Sequence, residues 1–121
     1  MHPLLILINM LTALLFTYIF YLETIATSSD QTAKTFNMTK EGISHPYVQT
    51  LFKNQGVYNL LIGLGLVYAS FFSQSGLSLS QFLHLYIIGV AAYGAISSDP
   101  KILLKQGALS IVFVVLAMIL T

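Results

Sequence analysis

The chain contains no cysteine among its 121 residues. Disulfides, thiolate metal sites and thiol redox chemistry are therefore excluded. Charge is also scarce, because 7% of the residues are charged and 56% are hydrophobic, whereas a soluble domain carries roughly 25% charged residues. So few charges cannot cover the surface of a soluble fold of this size, and the hydrophobic side chains must face lipid. The net charge of +1 gives no indication of a nucleic-acid partner.

Long apolar stretches dominate the chain instead. A helix needs about 20 mostly apolar residues to cross the hydrocarbon core of a bilayer, and four stretches meet or nearly meet this length. We predict a single all-α domain over residues 1–121, an integral membrane four-transmembrane-helix bundle. The predicted helices run from about 3 to 23, 46 to 72, 79 to 98 and 101 to 121, with a loop at about 24 to 45. The first helix is interpreted as a retained span, because it lacks the basic start and the cleavage site of a signal peptide.

All five basic side chains lie in or beside the first and third connections between these helices. In a four-helix topology the two connections share one side of the membrane. The positive-inside rule places that side in the cytoplasm, so both termini are predicted to be extracytoplasmic in a multi-pass protein of the cell membrane. The basic residues are Lys34, Lys40, Lys53, Lys101 and Lys105.

Polar side chains gather near the predicted cytoplasmic ends of the helices, where they are candidates for a binding site. Polar groups inside a bilayer are costly, so their positions carry functional information. The opposite halves of the helices look apolar, which predicts a dry outer half and a polar inner vestibule. His84 lies alone near the outer end of the third helix. The predicted ligand-binding residues are Glu23, Asn54, Gln55, Tyr58, Asn59, Tyr93, Lys105 and Gln106.

Glu23 is the most informative of these residues, because a carboxylate inside a membrane is expensive. Lys105 lies at a similar depth and is its expected ion partner, while Gln55 or Asn59 offers hydrogen bonds instead. Gln55 and Asn59 are spaced for one face of a helix, together with Gly63. We therefore expect these amides to face the interior of the bundle.

Glycines accompany the polar residues and indicate close packing. Gly56 flanks Asn59, and Gly89 shares a helical face with Tyr93. Because glycine lets another helix approach closely, Tyr93 is expected to face the interior with a neighbouring backbone packed near it.

No metal or catalytic motif can be recognised. No pair among His2, His45 and His84 has metal-ligand spacing, so neither a metal nor another cofactor is predicted. The chain has no phosphate-binding loop and no nucleophile elbow. The catalytic residues of any enzymatic activity are therefore unknown.

Five segments resemble, in the same order, a family of small bacterial membrane proteins catalogued as domain of unknown function 1304. The most specific is LFKNQGVYN at Leu51 to Asn59. The others are YIFYLE at Tyr18 to Glu23, KTFNMT at Lys34 to Thr39, AYGA at Ala92 to Ala95 and KILLKQG at Lys101 to Gly107. The resemblance covers nearly the whole chain and implies four transmembrane helices in a bacterial inner membrane, with no established activity.

The resemblance also implies which residues recur in the family. Many members have a histidine in the first helix where this chain has Phe16. This difference weakens any proposal that a histidine and Glu23 exchange a proton here. The recurring residues found in this chain are Glu23, Phe36, Asn54, Gln55, Gly56, Tyr58, Asn59, Tyr93, Gly94 and Gln106.

Three functions remain open at this stage. The first, which we favour, is binding or transport of a small polar or amphipathic molecule at the polar vestibule. The layout is similar to that of small multidrug exporters, which implies a homodimer. The second is a membrane-embedded enzyme acting on a lipid or apolar substrate, with Glu23 as acid or base. The third is a structural or accessory subunit. The expected partners are membrane lipid and an unidentified small molecule.

Overall fold

The computed structural model describes all residues from 1 to 121, and every regular element in it is helical. The predicted all-α class is therefore confirmed. Six α-helices are present, and the first continues into a π-helical turn at Tyr21–Ile25. The helices are α1 (Pro3–Phe20), α2 (Asp30–Thr35), α3 (Lys40–Ile43), α4 (Pro46–Phe71), α5 (Gly76–Ser97) and α6 (Lys101–Leu120).

Three helical segments are long and apolar enough to cross a membrane: Pro3–Ile25, Gly76–Ser97 and Lys101–Leu120. With 26 residues α4 is the longest helix, but the polar side chains in its first half keep its hydropathy below that of the other three. The fourth span therefore stays a prediction. Large apolar side chains such as Leu14 (67% exposed) lie on the outer surface of the helices, as expected where lipid rather than water is the neighbour.

The starts of α1 and α4 are fixed by the same local chemistry. Proline occupies the first turn of α1 and of α4, where its missing N–H is not needed. His2 Nδ1 accepts a hydrogen bond from the backbone N–H of Leu4 at 3.1 Å, and His45 Nδ1 accepts one from Tyr47 at 3.2 Å. These caps satisfy backbone donors that a helix start leaves free.

The segment between α1 and α4 contains two short helices. Ser29 and Thr39 cap α2 and α3 by accepting hydrogen bonds from the backbone N–H of Thr32 and Gly42. Both short helices lie within the stretch predicted as a loop at about 24 to 45. The connection between α4 and α5 is shorter than expected, since α5 begins at Gly76 rather than near residue 79.

The four long helices pack side by side as an antiparallel bundle. α1 lies between α4 and α6, and α5 completes the arrangement by packing against α6 and α4. Leu5 near the start of α1 shares a buried cluster with Phe113 and Ala117 near the end of α6, so both chain termini lie at the same end of the bundle. We call this the His84 end, and the opposite end the Glu23 end.

Candidate functional site

Glu23 lies in the π-helical turn that ends the first long helix, and its side chain is fully buried. A π turn widens the helix locally and is common at functional sites. Its carbonyl groups are held by hydroxyl groups from the following segment. Thr32 Oγ1 lies 2.9 Å from the Leu22 carbonyl and 2.8 Å from that of Ala26, and Thr27 Oγ1 donates to the Glu23 carbonyl at 2.7 Å. The position of Glu23 is therefore set by α2 as well as by α1.

Two amides of α4 hold the Glu23 carboxyl group. Asn59 Nδ2 donates to Oε1 at 2.6 Å, and Gln55 Nε2 donates to Oε2. Gln55 and Asn59 are four residues apart and so lie one above the other on α4. Both carboxyl oxygens therefore accept a hydrogen bond from an amide group of α4.

The expected ion pair between Glu23 and Lys105 is wrong. Lys105 Nζ donates to the Thr35 carbonyl at 3.0 Å, and the ion pair that the chain does form joins Lys40 to Asp30 on the surface. The two groups lie at a similar depth but on different sides of α1. Glu23 points to α4, whereas Lys105 faces the groove between α1 and α6.

Gly56 allows α4 to approach Glu23 closely. A Cβ atom at this position would overlap with Thr24 Oγ1 and lie 3.1 Å from Glu23 Cβ. The Thr24 hydroxyl is itself fixed, because it donates to the Lys53 carbonyl at 2.9 Å. The predicted role of glycine in close helix packing is therefore confirmed for Gly56, one residue after the Gln55 that binds Glu23.

The same expectation is wrong for Gly89 and for the side chain that shares its face. A Cβ atom at Gly89 would have no neighbour within 4 Å. Tyr93 is 72% exposed rather than turned into the bundle. Gly89 is exposed and Tyr93 lines a cavity between α4 and α5, so no backbone packs against this face of α5.

The cavity lies at the Glu23 end between α4 and α5 and has a volume of about 450 Å³. Phe36 and Met38 from the segment after α2 also line it, as does Ile102 of α6. Neither Glu23 nor any other charged side chain is among the lining residues. The cavity brings together five of the eight predicted site residues, namely Gln55, Tyr58, Asn59, Tyr93 and Gln106.

Asn54 is not brought into this site. It is exposed and makes no hydrogen bond within the protein, and it does not line the cavity. An α-helix turns by about 100° per residue, so Asn54 points to the side of α4 away from α1. Asn54 is therefore not part of this cavity, and its role in ligand binding stays a prediction.

Lys105 lines a second and smaller cavity of about 210 Å³ between α1 and α6. This cavity is bounded mainly by apolar side chains of α1, including Leu15 and Ile19. Phe36, Ile102 and Gln106 line both cavities. Lys105 is thus adjacent to the predicted site without being part of its main cavity.

The His84 end holds a second polar cluster, which corrects the expectation of a dry outer half. His84 Nε2 lies 2.8 Å from Asn9 Oδ1, and His84 Nδ1 lies 2.8 Å from Ser110 Oγ. Asn9 Nδ2 donates to Ser70 and to Ser80, both at 2.9 Å. This His84 network joins α1, α4, α5 and α6, and His84 is therefore not alone.

The hydrogen bonds of the His84 network determine which ring nitrogen carries the proton. The Ser70 hydroxyl donates to the Leu66 carbonyl at 2.9 Å, so it accepts from Asn9 and turns the amide nitrogen of Asn9 toward itself. Asn9 Oδ1 then faces His84, and Nε2 must carry the hydrogen. Nδ1 accepts from the Ser110 hydroxyl. The network is closed, and no buried side-chain polar atom in the protein lacks a partner.

Little in the sequence reveals this network. Asn9 stands alone in an apolar run, and the serines of helices are usually read as helix-packing residues. The one available signal is the spacing of Ser80 and His84, which lie four residues apart and so share a helical face. The ring of His84 also stacks on Phe113 at 4.0 Å between centroids, and nothing in the sequence predicts this contact.

Comparisons with known proteins identify relatives but no activity. A family model described as "Protein of unknown function (DUF1304)" matches residues 10–118. The chain is 57% identical over 106 residues to "Uncharacterized protein YpaA" from Lactococcus lactis subsp. lactis (strain IL1403), covering 88% of this chain and 89% of that protein. No solved structure matches.

Proposed function

Because the chain belongs to the DUF1304 family, whose description names no activity, we propose a function from its site: it binds a small amphipathic molecule in the cavity at the Glu23 end. One observation carries this proposal. The two amides that hold the buried Glu23 carboxyl group, Gln55 and Asn59, also line the cavity. A ligand in the cavity would therefore touch side chains that are oriented by a charged group.

The size and lining of the cavity support an amphipathic ligand. Its volume of about 450 Å³ lies within the roughly 300–1,000 Å³ of small-molecule sites. Ile62 and Val90 offer apolar contacts on two sides, whereas Asn59 and Gln106 offer amide groups. Such a mixture suits a molecule with an apolar body and one polar group.

The cavity is best explained as a site reached from the membrane. At the His84 end α4 and α5 touch, since a Cβ atom at Gly76 would overlap with the Ala69 carbonyl. At the Glu23 end the cavity separates the two helices, and Val90 and Tyr93 beside it are more than half exposed. If α4 and α5 both span the bilayer, this gap faces lipid, and an amphipathic molecule enters sideways.

We further propose that α4 is the fourth span and that the Glu23 end is cytoplasmic. A helix of 26 residues is roughly 39 Å long at 1.5 Å per residue, which is long enough to cross a hydrocarbon core of about 30 Å with less than two turns of its polar start outside. All five lysines lie at the Glu23 end of the bundle, as the positive-inside rule requires of a cytoplasmic side. Both termini are then extracytoplasmic.

Binding is favoured over transport by the His84 network. It ties together α1, α4, α5 and α6 at the end of the bundle opposite the cavity. Passage through the bundle would have to break these buried hydrogen bonds. A transporter working by alternating access, alone or as a homodimer, would therefore need a second conformation in which Asn9 and His84 separate.

Binding is tested by calorimetry with three probes that share one chain and differ in the head: decanol, decanoate and decyltrimethylammonium. The protein is held in lipid nanodiscs, and the heat of partition into empty nanodiscs is subtracted. We expect saturable binding of at least one probe, lost in Asn59→Leu and in the cavity-filling variant Val90→Trp. Asn54→Leu is the matched control, because Asn54 is exposed and outside the cavity.

Two results would contradict this function. One is the absence of saturable binding for all three probes. The other is binding that Asn54→Leu and Asn59→Leu weaken equally. Because Asn54 lies outside the cavity, such binding would not take place in the cavity.

A further inference from the structure

Glu23 has no positively charged partner within the protein. Its two oxygens accept hydrogen bonds from the neutral amides of Gln55 and Asn59. Lys105, the lysine expected to pair with it, donates from its ammonium group to the Thr35 carbonyl instead. A buried charge is costly unless it is paired as well as hydrogen-bonded. The carboxylate is therefore positioned by the protein but not neutralised by it.

The amides of Gln55 and Asn59 extend the negative electrostatic potential of the Glu23 carboxylate to the cavity. Each amide uses its nitrogen to reach Glu23, which leaves Gln55 Oε1 and Asn59 Oδ1 as free acceptors, and neither oxygen accepts a hydrogen bond within the protein. Both side chains line the cavity. A ligand there meets amide dipoles that are polarised by a carboxylate behind them.

Aromatic rings surround the same space. Phe36, Phe52, Tyr58, Tyr86 and Tyr93 line the cavity, and the first two are packed edge to face with 5.3 Å between their centroids. The face of an aromatic ring attracts a cation, and groups of such rings are used to recognise quaternary ammonium ions. No lysine lines the cavity to compete for these rings.

From the unpaired carboxylate, the free amide oxygens and the aromatic walls, we propose that the ligand of this cavity is an amphipathic organic cation that carries a substituted ammonium group. This inference rests on the proposed binding function and specifies its ligand class. The ammonium group lies against Gln55 and Asn59 and within reach of the ring faces, and the apolar part of the ligand lies toward α5. The ligand supplies the positive charge that the protein does not provide to Glu23.

The test compares decyltrimethylammonium with decanol and decanoate on the same protein in nanodiscs. We expect the cation to bind at least tenfold more tightly than decanol, and decanoate to bind most weakly. Glu23→Gln keeps the size of the side chain and can still hydrogen-bond both amides after they rotate. It should lower the affinity for the cation at least tenfold and change the affinity for decanol less than threefold. Glu41→Gln, which removes an exposed carboxylate from α3, is the control and should change neither.

A second variant keeps the test decisive if Glu23→Gln does not fold. Tyr93 is largely exposed, so Tyr93→Leu should fold normally. Because leucine keeps an apolar contact but lacks a ring face, we expect it to weaken the binding of the cation about fivefold more than the binding of decanol.

The outcomes separate this inference from the function on which it rests. If decanol or decanoate binds in a manner that depends on Asn59 while the cation binds no more tightly, the cation inference is overturned and the binding function stands. Cation binding that is unchanged in both Glu23→Gln and Tyr93→Leu overturns it equally. Both proposals fail if neither Asn59→Leu nor Val90→Trp weakens the binding of any probe.

Discussion

Asn59 of α4 donates a hydrogen bond of 2.6 Å to the buried carboxyl group of Glu23, which lies 36 positions earlier in the chain. This bond joins the π-helical end of the first long helix to the face of α4 that lines the cavity. Gln55, the other amide that donates to Glu23, lies one helical turn away on the same face of α4.

Substitution of Gly56 by alanine should destabilise the bundle. The added methyl group overlaps with Thr24 and crowds Glu23 Cβ, and overpacking costs about 1–3 kcal/mol, more than the roughly 1 kcal/mol that alanine gains over glycine in a helix. Thermal unfolding in detergent, followed by circular dichroism, should give a lower melting temperature. Gly89→Ala is the matched control, because its Cβ would have open space, and it should be neutral or stabilising. Equal effects of the two variants would argue against close packing at Gly56.

Removal of the Thr32 hydroxyl should loosen the turn that carries Glu23. Thr32 Oγ1 bonds to the carbonyls of Leu22 and Ala26, and Thr32→Val keeps the shape while deleting this donor. We expect a loss of about 1 kcal/mol in stability together with weaker binding of the cavity probe. Thr50→Val on the exposed start of α4 removes a similar hydroxyl-to-carbonyl bond at 3.1 Å and should leave binding unchanged.

The His84 network should contribute to stability without contributing to ligand binding. Asn9→Leu removes the bonds to His84, Ser70 and Ser80. Hydrogen bonds between membrane helices are worth about 0.6–2 kcal/mol each, so we expect the loss of three to lower the free energy of unfolding by roughly 2 to 6 kcal/mol. Gln74→Leu in the exposed connection before α5 should have little effect. A large loss of probe affinity in Asn9→Leu, with the fold intact, would show that the two ends of the bundle are coupled.

The orientation can be read from single cysteines, because the natural chain has none. In intact cells an impermeant thiol reagent should label Ser75→Cys, in the connection before α5, and should spare Thr39→Cys, which precedes α3. The lysines at the Glu23 end are the reason for this expectation. Labelling of Thr39→Cys alone would place the cavity at the outer side instead.

The sequence predicts helices well, because long apolar runs leave few alternatives. It also singles out Glu23, Gln55 and Asn59, since an acid and two amides at helical spacing are conspicuous in an apolar chain. Which groups pair is harder to predict. Lys105 and Glu23 share a depth, yet the rotation of α6 about its axis turns the lysine toward Thr35, and depth along a helix carries no information about rotation.

Features that depend on contacts between separate helices are not predicted by the sequence. The His84 network needs Asn9, Ser70, Ser80 and Ser110 to converge from four helices, and each residue taken alone looks like an ordinary polar residue in a span. The π turn at Tyr21–Ile25 has the same origin, since the hydroxyl that supports it comes from α2. Asn54 belongs to the same polar segment of the sequence as Asn59, but the rotation of α4 turns it away from the cavity.

The comparison of these two asparagines also gives the most direct test of the binding site. The protein, labelled with ¹⁵N and held in nanodiscs, is titrated with each of the three decyl probes while its side-chain amide signals are followed by nuclear magnetic resonance. Ligand binding in the cavity predicts saturable shifts of the Asn59 and Gln55 amides with at least one probe and a stationary Asn54 amide. Unmoved Asn59 and Gln55 signals with all three probes, or an Asn54 signal that moves in parallel with them, would contradict the assignment of the cavity as the binding site.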